Sequence, residues 1–94
     1  MTMTENELKR AILTLAYAQG WAVYHVPQRT MRNGGGKGYP DLTLARDREV
    51  LFMELKQQQG VLSPEQMLWQ LALPCAYTIR PSDWESGRVA ELLA

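Results

Sequence analysis

Asp41-Leu42-Thr43-Leu44-Ala45-Arg46-Asp47-Arg48-Glu49-Val50-Leu51-Phe52-Met53-Glu54-Leu55-Lys56 decides how the chain folds. Two short apolar runs, Leu42 to Ala45 and Val50 to Leu55, flank four charged residues, the pattern of a β-hairpin, although the turn has no glycine. With Asp47 and Arg48 as the two central turn residues, opposed residue numbers sum to 95. One face then collects Leu42, Leu44, Leu51, Met53 and Leu55, an apolar set that supports the register independently. On the other face Asp41 stands directly across from Glu54, about 5 Å away at Cβ. Lys56, two residues further along, points to that same face.

Upstream of the hairpin, Pro27 to Pro40 (PQRTMRNGGGKGYP) reads as a loop, with four of the seven glycines, three basic residues and no acid. Before it, Trp21 to Val26 is aromatic and β-branched and predicts a strand. Thr4 to Gln19 predicts a helix: Leu8, Ile12, Leu15 and Ala16 form an apolar stripe, Thr4 and Glu7 a capping box, and Gly20 a stop. Downstream, Ser63-Pro64-Glu65-Gln66 opens a second helix whose apolar side is Met67, Leu68, Leu71 and Ala72. Ala76 to Ile79 predicts a short strand. Ser82-Asp83-Trp84-Glu85 starts a last helix with Val89, Leu92 and Leu93 as its buried positions. The order α-β-β-β-α-β-α makes a mixed α/β domain spanning residues 1–94.

Composition narrows the function classes. Ten Lys+Arg balance ten Asp+Glu, which excludes a histone-like protein bound by bulk charge but leaves room for a local basic patch. The single cysteine, Cys75, excludes an internal disulfide and multi-cysteine zinc sites, and reads as a small buried residue in a reducing compartment. No apolar run approaches the ~20 residues that span a bilayer. The N-terminal MTMTENELKR lacks a signal-peptide core, so the expectation is a cytoplasmic protein, of bacterial or phage origin, with no membrane partner.

The chemistry concentrates at the open end of the hairpin. Two carboxylates that close repel unless a proton or cation sits between them. Hard oxygen ligands suit Mg²⁺ or Mn²⁺, which keep several waters and reach substrate phosphate. A nearby ammonium, Lys56, offsets developing charge. Taken singly, Asp41 is as readily a strand-entry residue, and Glu54 with Lys56 a surface ion pair. Their convergence on one face, with Glu54 interrupting an apolar strand, favours a site. Arg29, Arg32 and Lys37, with the exposed amides of Gly35 and Gly36, suit contacts to a nucleic-acid backbone. His25 reads as a structural histidine, and Trp69 and Trp84 as core or interface residues.

Three motifs, Gly38-Tyr39-Pro40-Asp41-Leu42, Leu51-Phe52-Met53-Glu54-Leu55-Lys56 and Gly60-Val61-Leu62-Ser63-Pro64-Glu65-Gln66, resemble in order those of the VRR-NUC domain, a branch of the PD-(D/E)XK nucleases. The similarity runs from about Glu5 to Arg80. It implies a restriction-endonuclease-like core, a mixed central sheet flanked by helices, and metal-dependent DNA cleavage. It places the metal on Asp41, Glu54 and the Leu55 backbone carbonyl, the lysine on Lys56 and a helix-two glutamine on Gln66. A first-helix acid is also implied, and Glu5 fits that pattern better than Glu7, which capping already explains. The expected protein is a structure-selective endodeoxyribonuclease with no nucleotide cofactor, acting on branched or four-way DNA as a Holliday-junction-resolving homodimer. Trp69, Leu73 and Trp84 would supply the self-complementary patch. The rivals are a catalytically silent DNA-binding subunit and a general DNA or RNA nuclease.

Overall fold

The computed structural model describes residues 2–25 and 36–94. Helix α1 (Glu5–Ala18) is followed by strands β1 (Ala22–His25), β2 (Leu42–Arg46) and β3 (Glu49–Leu55). Helix α2 (Pro64–Ala72), strand β4 (Ala76–Ile79) and two short helices, α3 (Pro81–Glu85) and α4 (Arg88–Leu93), complete the chain. The described strands form one mixed sheet in the order β1-β2-β3-β4. β1, β2 and β3 run antiparallel, and β4 joins β3 in parallel.

The hairpin register is as the alternation requires. Leu42 pairs with Met53, Leu44 with Leu51 and Arg46 with Glu49. Asp47 (φ 49°) and Arg48 (φ 70°) adopt the left-handed conformation that a two-residue hairpin turn needs, without a glycine. The face carrying Leu42, Leu44, Leu51, Met53 and Leu55 is buried together with Leu8, Ile12 and Ala16 of α1 and with Val89 and Leu93 of α4. α1 begins at its capping box: the Glu7 N–H donates to Thr4 Oγ1 (3.1 Å) and the Thr4 N–H to Glu7 Oε1 (2.9 Å).

The structure departs from the sequence reading at four places. The last helix is two: Gly87 (φ 86°) breaks it, because a left-handed residue after α3 ends one helix and turns the chain into the next. Its first turn is capped at Arg80 and not Ser82, with the Arg80 N–H donating to Asp83 Oδ2 (2.7 Å). Cys75 is exposed, in a turn with φ 53°, and is no core residue. The largest departure concerns α2. Its aliphatic side faces solvent: Met67 is 51%, Leu68 68% and Leu71 83% exposed, beside Val61 at 82%. Gln66, Trp69, Gln70 and Leu73, also at helical spacing, turn inward instead. The Trp69 indole N–H donates to the Lys37 carbonyl (3.0 Å) and the Gln70 amide to the Ala76 carbonyl (2.9 Å). The surface beneath α2 offers carbonyls and a carboxylate, and polar side chains satisfy these where aliphatic ones would leave them unpaired.

Candidate active site

The face of β3 opposite the core carries Phe52 and Glu54, and α2 covers both. Tyr39 packs with Phe52 and with Trp69 of the helix, its ring edge-on to Phe52 (6.1 Å between centroids) and to Trp69 (5.0 Å). Its hydroxyl shares a hydrogen bond with Thr43 Oγ1 (3.2 Å). Glu54 is only 4% exposed. Gln66 reaches it from the first turn of α2, the Nε2 donating to Glu54 Oε2 (2.9 Å). That glutamine is itself fixed: its Oε1 accepts from the Ser63 N–H (2.8 Å) while its N–H donates to Ser63 Oγ (3.1 Å). One side chain thus completes the capping box and makes the link to Glu54.

Asp41 lies across from Glu54, as the register demands. Its Oδ2 accepts the Leu55 N–H at 2.8 Å. The Phe52 and Lys56 N–H groups donate to Cys75 and Ile79 in the direction of β4, so Leu55, by alternation, directs its N–H and C=O toward β2. Continuing the register pairs Leu55 with Pro40, which has no N–H. The ladder therefore offers the Leu55 carbonyl no donor, on the side where the Asp41 carboxylate sits.

Burial, then the neighbouring Asp41 carboxylate and its hydrogen bond, push Glu54 up to about 8, with the Lys56 ammonium acting against the rise and Glu5 adding to it. Desolvation and a like charge both disfavour ionisation of Glu54, and a cation between the two carboxylates would relieve their repulsion. Among the described residues, no group of three or more His, Cys, Asp or Glu side chains is arranged to hold a metal ion. The donor set that remains is two carboxylates and a backbone carbonyl. It fits Mg²⁺ or Mn²⁺, which keep most of their waters, and not an ion that needs a full protein cage.

Lys56 follows β3 directly and is half-buried. Glu5 is exposed in the first turn of α1, and its charge is felt at Glu54. Glu7 is held by its cap, and the hydrogen bonds to Thr4 draw its carboxyl below the ordinary range. These positions separate the two acids experimentally. Glu7→Ala should lower the melting temperature and leave any activity largely intact, whereas Glu5→Gln should do the reverse. Thermal unfolding beside a cleavage assay reads both, and an inverted pattern would assign the helix-one role to Glu7.

Of the predicted backbone-contacting residues, Gly36 and Lys37 are exposed, while Arg29, Arg32 and Gly35 lie outside the described residues. His25 ends β1, exposed. Trp69 and Trp84 are half-buried, Trp84 against the core. Two residues shape the site beyond the roles read from sequence. Ser63, expected as the cap of α2, also orients Gln66 toward Glu54. Gly38 (φ 83°) lets the chain touch α2, since a Cβ there would lie 2.5 Å from the Glu65 carbonyl carbon and 2.7 Å from the Gln66 nitrogen. The signal for Gly38 was present in the glycine immediately before Tyr39-Pro40-Asp41.

Comparison of the chain with protein-family models, curated proteins and solved structures finds no match. No helix among the described residues is long and apolar enough to cross a membrane.

Proposed function

We propose that the protein is a Mg²⁺- or Mn²⁺-dependent endodeoxyribonuclease of the VRR-NUC type within the PD-(D/E)XK group. The observation that carries this reading is Glu54: a carboxyl buried beside a second carboxylate, kept there by Gln66, with an ammonium two residues on. A protein that merely binds DNA gains nothing from burying acids that face a polyanion. The element order and the mixed sheet are compatible with a restriction-endonuclease-like core.

In this reading Asp41, Glu54 and the Leu55 carbonyl hold the metal, and Glu5 supports it directly or through water. A bound ion would polarise the scissile phosphate and lower the pKa of a water, so that the water could lose a proton and attack as hydroxide. Gln66 orients the Glu54 carboxylate by donating to its Oε2. Lys56 orients the attacking water and offsets charge as it develops on the phosphate. Lys37, and with it Arg29 and Arg32, grips the DNA backbone. Lys56→Ala should keep metal binding by calorimetry yet lose cleavage; loss of metal binding would assign Lys56 a structural role. Removing Arg29, Arg32 and Lys37 together should weaken binding to all DNAs alike. It should also flatten the salt dependence of log K by about 0.9 for each duplex phosphate that the protein no longer neutralises.

The finer reading is a homodimer that resolves four-way DNA, one site per subunit giving two symmetric nicks. Its contact face is not the Trp69-Leu73-Trp84 patch expected from sequence, because Trp69 and Trp84 are committed to packing within the chain. The exposed apolar face of α2 takes that role, uncharged apart from Glu65. Leu68→Glu with Leu71→Glu should shift light scattering from dimer to monomer and leave the cooperative melt in place. A wild-type monomer at micromolar concentration, or equal cutting of linear duplex, would leave a general structure-tolerant nuclease.

A further inference from the structure

Arg80, directly after β4, lies beside the turn that follows Lys56. Its Nη1 donates to the carbonyls of Gln57 (2.8 Å) and Gly60 (2.7 Å), with Gln58 at 3.5 Å. These carbonyls converge because residues 57–60 close a turn, the Gly60 N–H donating to the Gln57 carbonyl at 3.0 Å. Without a cation between them their dipoles repel, and a guanidinium is the side chain that stays charged and supplies several donors at once. The turn is tied to α3 a second time. The Ser82 N–H donates to Gln58 Oε1 (2.9 Å), and Gln58 Nε2 donates back to Ser82 Oγ (3.0 Å). Arg80 is in turn anchored through its own N–H to Asp83.

The turn abuts the lysine. Gly60 lies beside the Lys56 stem: a Cβ on it would make ordinary van der Waals contact with Lys56 Cδ, at 3.4 Å. We infer that Arg80 is a positioning residue for Lys56: by gathering the carbonyls of residues 57–60 it holds Gly60 as the wall against which the lysine stem rests. The inference rests on the nuclease reading for its functional meaning, though not for its geometry. A displacement of an ångström at a group that acts on the reacting centre is enough to cost about 10²-fold in rate.

The test compares wild type, Arg80→Ala, Lys56→Ala and the double variant. Proximity of the Lys56 δ-methylene to the Gly60 α-protons is followed by NMR, and cleavage of labelled DNA with Mn²⁺ is measured on the same samples. Arg80→Ala should abolish that proximity, still melt cooperatively, and lower kcat about 10- to 100-fold with KM nearly unchanged. In the Lys56→Ala background it should add nothing further, since coupled residues are not additive. Persistence of the proximity in Arg80→Ala, or an equal loss of rate with and without Lys56, would overturn the inference. Its disappearance in a protein whose wild type does not cleave DNA would instead overturn the nuclease reading and leave the positioning intact.

Discussion

Glu54→Gln should abolish metal-dependent cleavage and, in the same protein, raise thermal stability at pH 8. The two effects have one cause. Glu54 ionises near 4.5 in an unfolded chain and near 8 in the fold, where burial and Asp41 disfavour its charge. Between those values the folded state holds a proton that the unfolded state has released. Without metal, the contribution of Glu54 to stability is therefore largest below about pH 4.5, falls as pH rises toward 8, and levels off above it. A glutamine carries no charge at any pH. Its carbonyl can accept from Gln66 and its amide can donate to Asp41, so the variant should show none of this slope. Divalent metal should remove the slope in wild type as well, taking the proton's place and releasing it, and metal affinity should tighten as pH rises toward 8. Melts at pH 5, 6.5 and 8, with and without Mg²⁺, measure all of this. A wild-type stability that is flat or rises across that range, matched by the variant, would mean Glu54 is ionised and hydrated in the fold.

Gly38→Ala should be the most damaging substitution outside the carboxylates. A methyl there meets the α2 backbone at Glu65 and Gln66 well inside van der Waals contact, and backbone cannot swing away as a side-chain tip would. Left-handed strain adds to the overlap, giving a loss of about 2–5 kcal/mol, or roughly 10–30 °C in melting temperature for a chain of this size. The movement forced on α2 pulls Gln66 from Glu54, so cleavage should fall with stability. Gly36→Ala is the control: its φ is equally left-handed at 82°, yet nothing stands within 4 Å of the added carbon, leaving only the strain of about 1–2 kcal/mol. Equal losses at both positions would show that the close approach of Gly38 to α2 is not what seats the helix.

The parts of the fold legible in the sequence were those where one physical period decides. Alternation along Leu42–Arg46 and Glu49–Leu55 determined the register, and the register placed Asp41 opposite Glu54. Capping chemistry located α1 and α2 because Thr4 with Glu7 and Ser63 with Gln66 satisfy donors that those turns leave orphaned. The orientation of α2 was not legible. Helical spacing groups 66, 69, 70 and 73 as firmly as 67, 68, 71 and 72, and hydrophobicity favours the second set. What selects the first is the surface beneath, where Glu54 and the carbonyls of Lys37 and Ala76 need donors. Arg80 escaped for a related reason: its partners are backbone carbonyls twenty or more residues away, which no side-chain pattern announces. The candidate site was legible in its acids, its lysine and Gln66, and illegible in Gly38 and Arg80, whose parts depend on backbone far away in sequence.

Whether the Asp41–Glu54 pair holds a metal for DNA cleavage is tested by incubating the purified protein with labelled four-way, flapped, nicked and linear DNA, with Mg²⁺, Mn²⁺ or chelator, beside Asp41→Ala and Glu54→Gln. Wild type should nick DNA only with metal and favour branched DNA, neither variant should give product, and both should bind DNA as tightly as wild type or more so. Intact DNA with wild type in every metal, or product from the variants at the wild-type rate, would contradict that role of the pair.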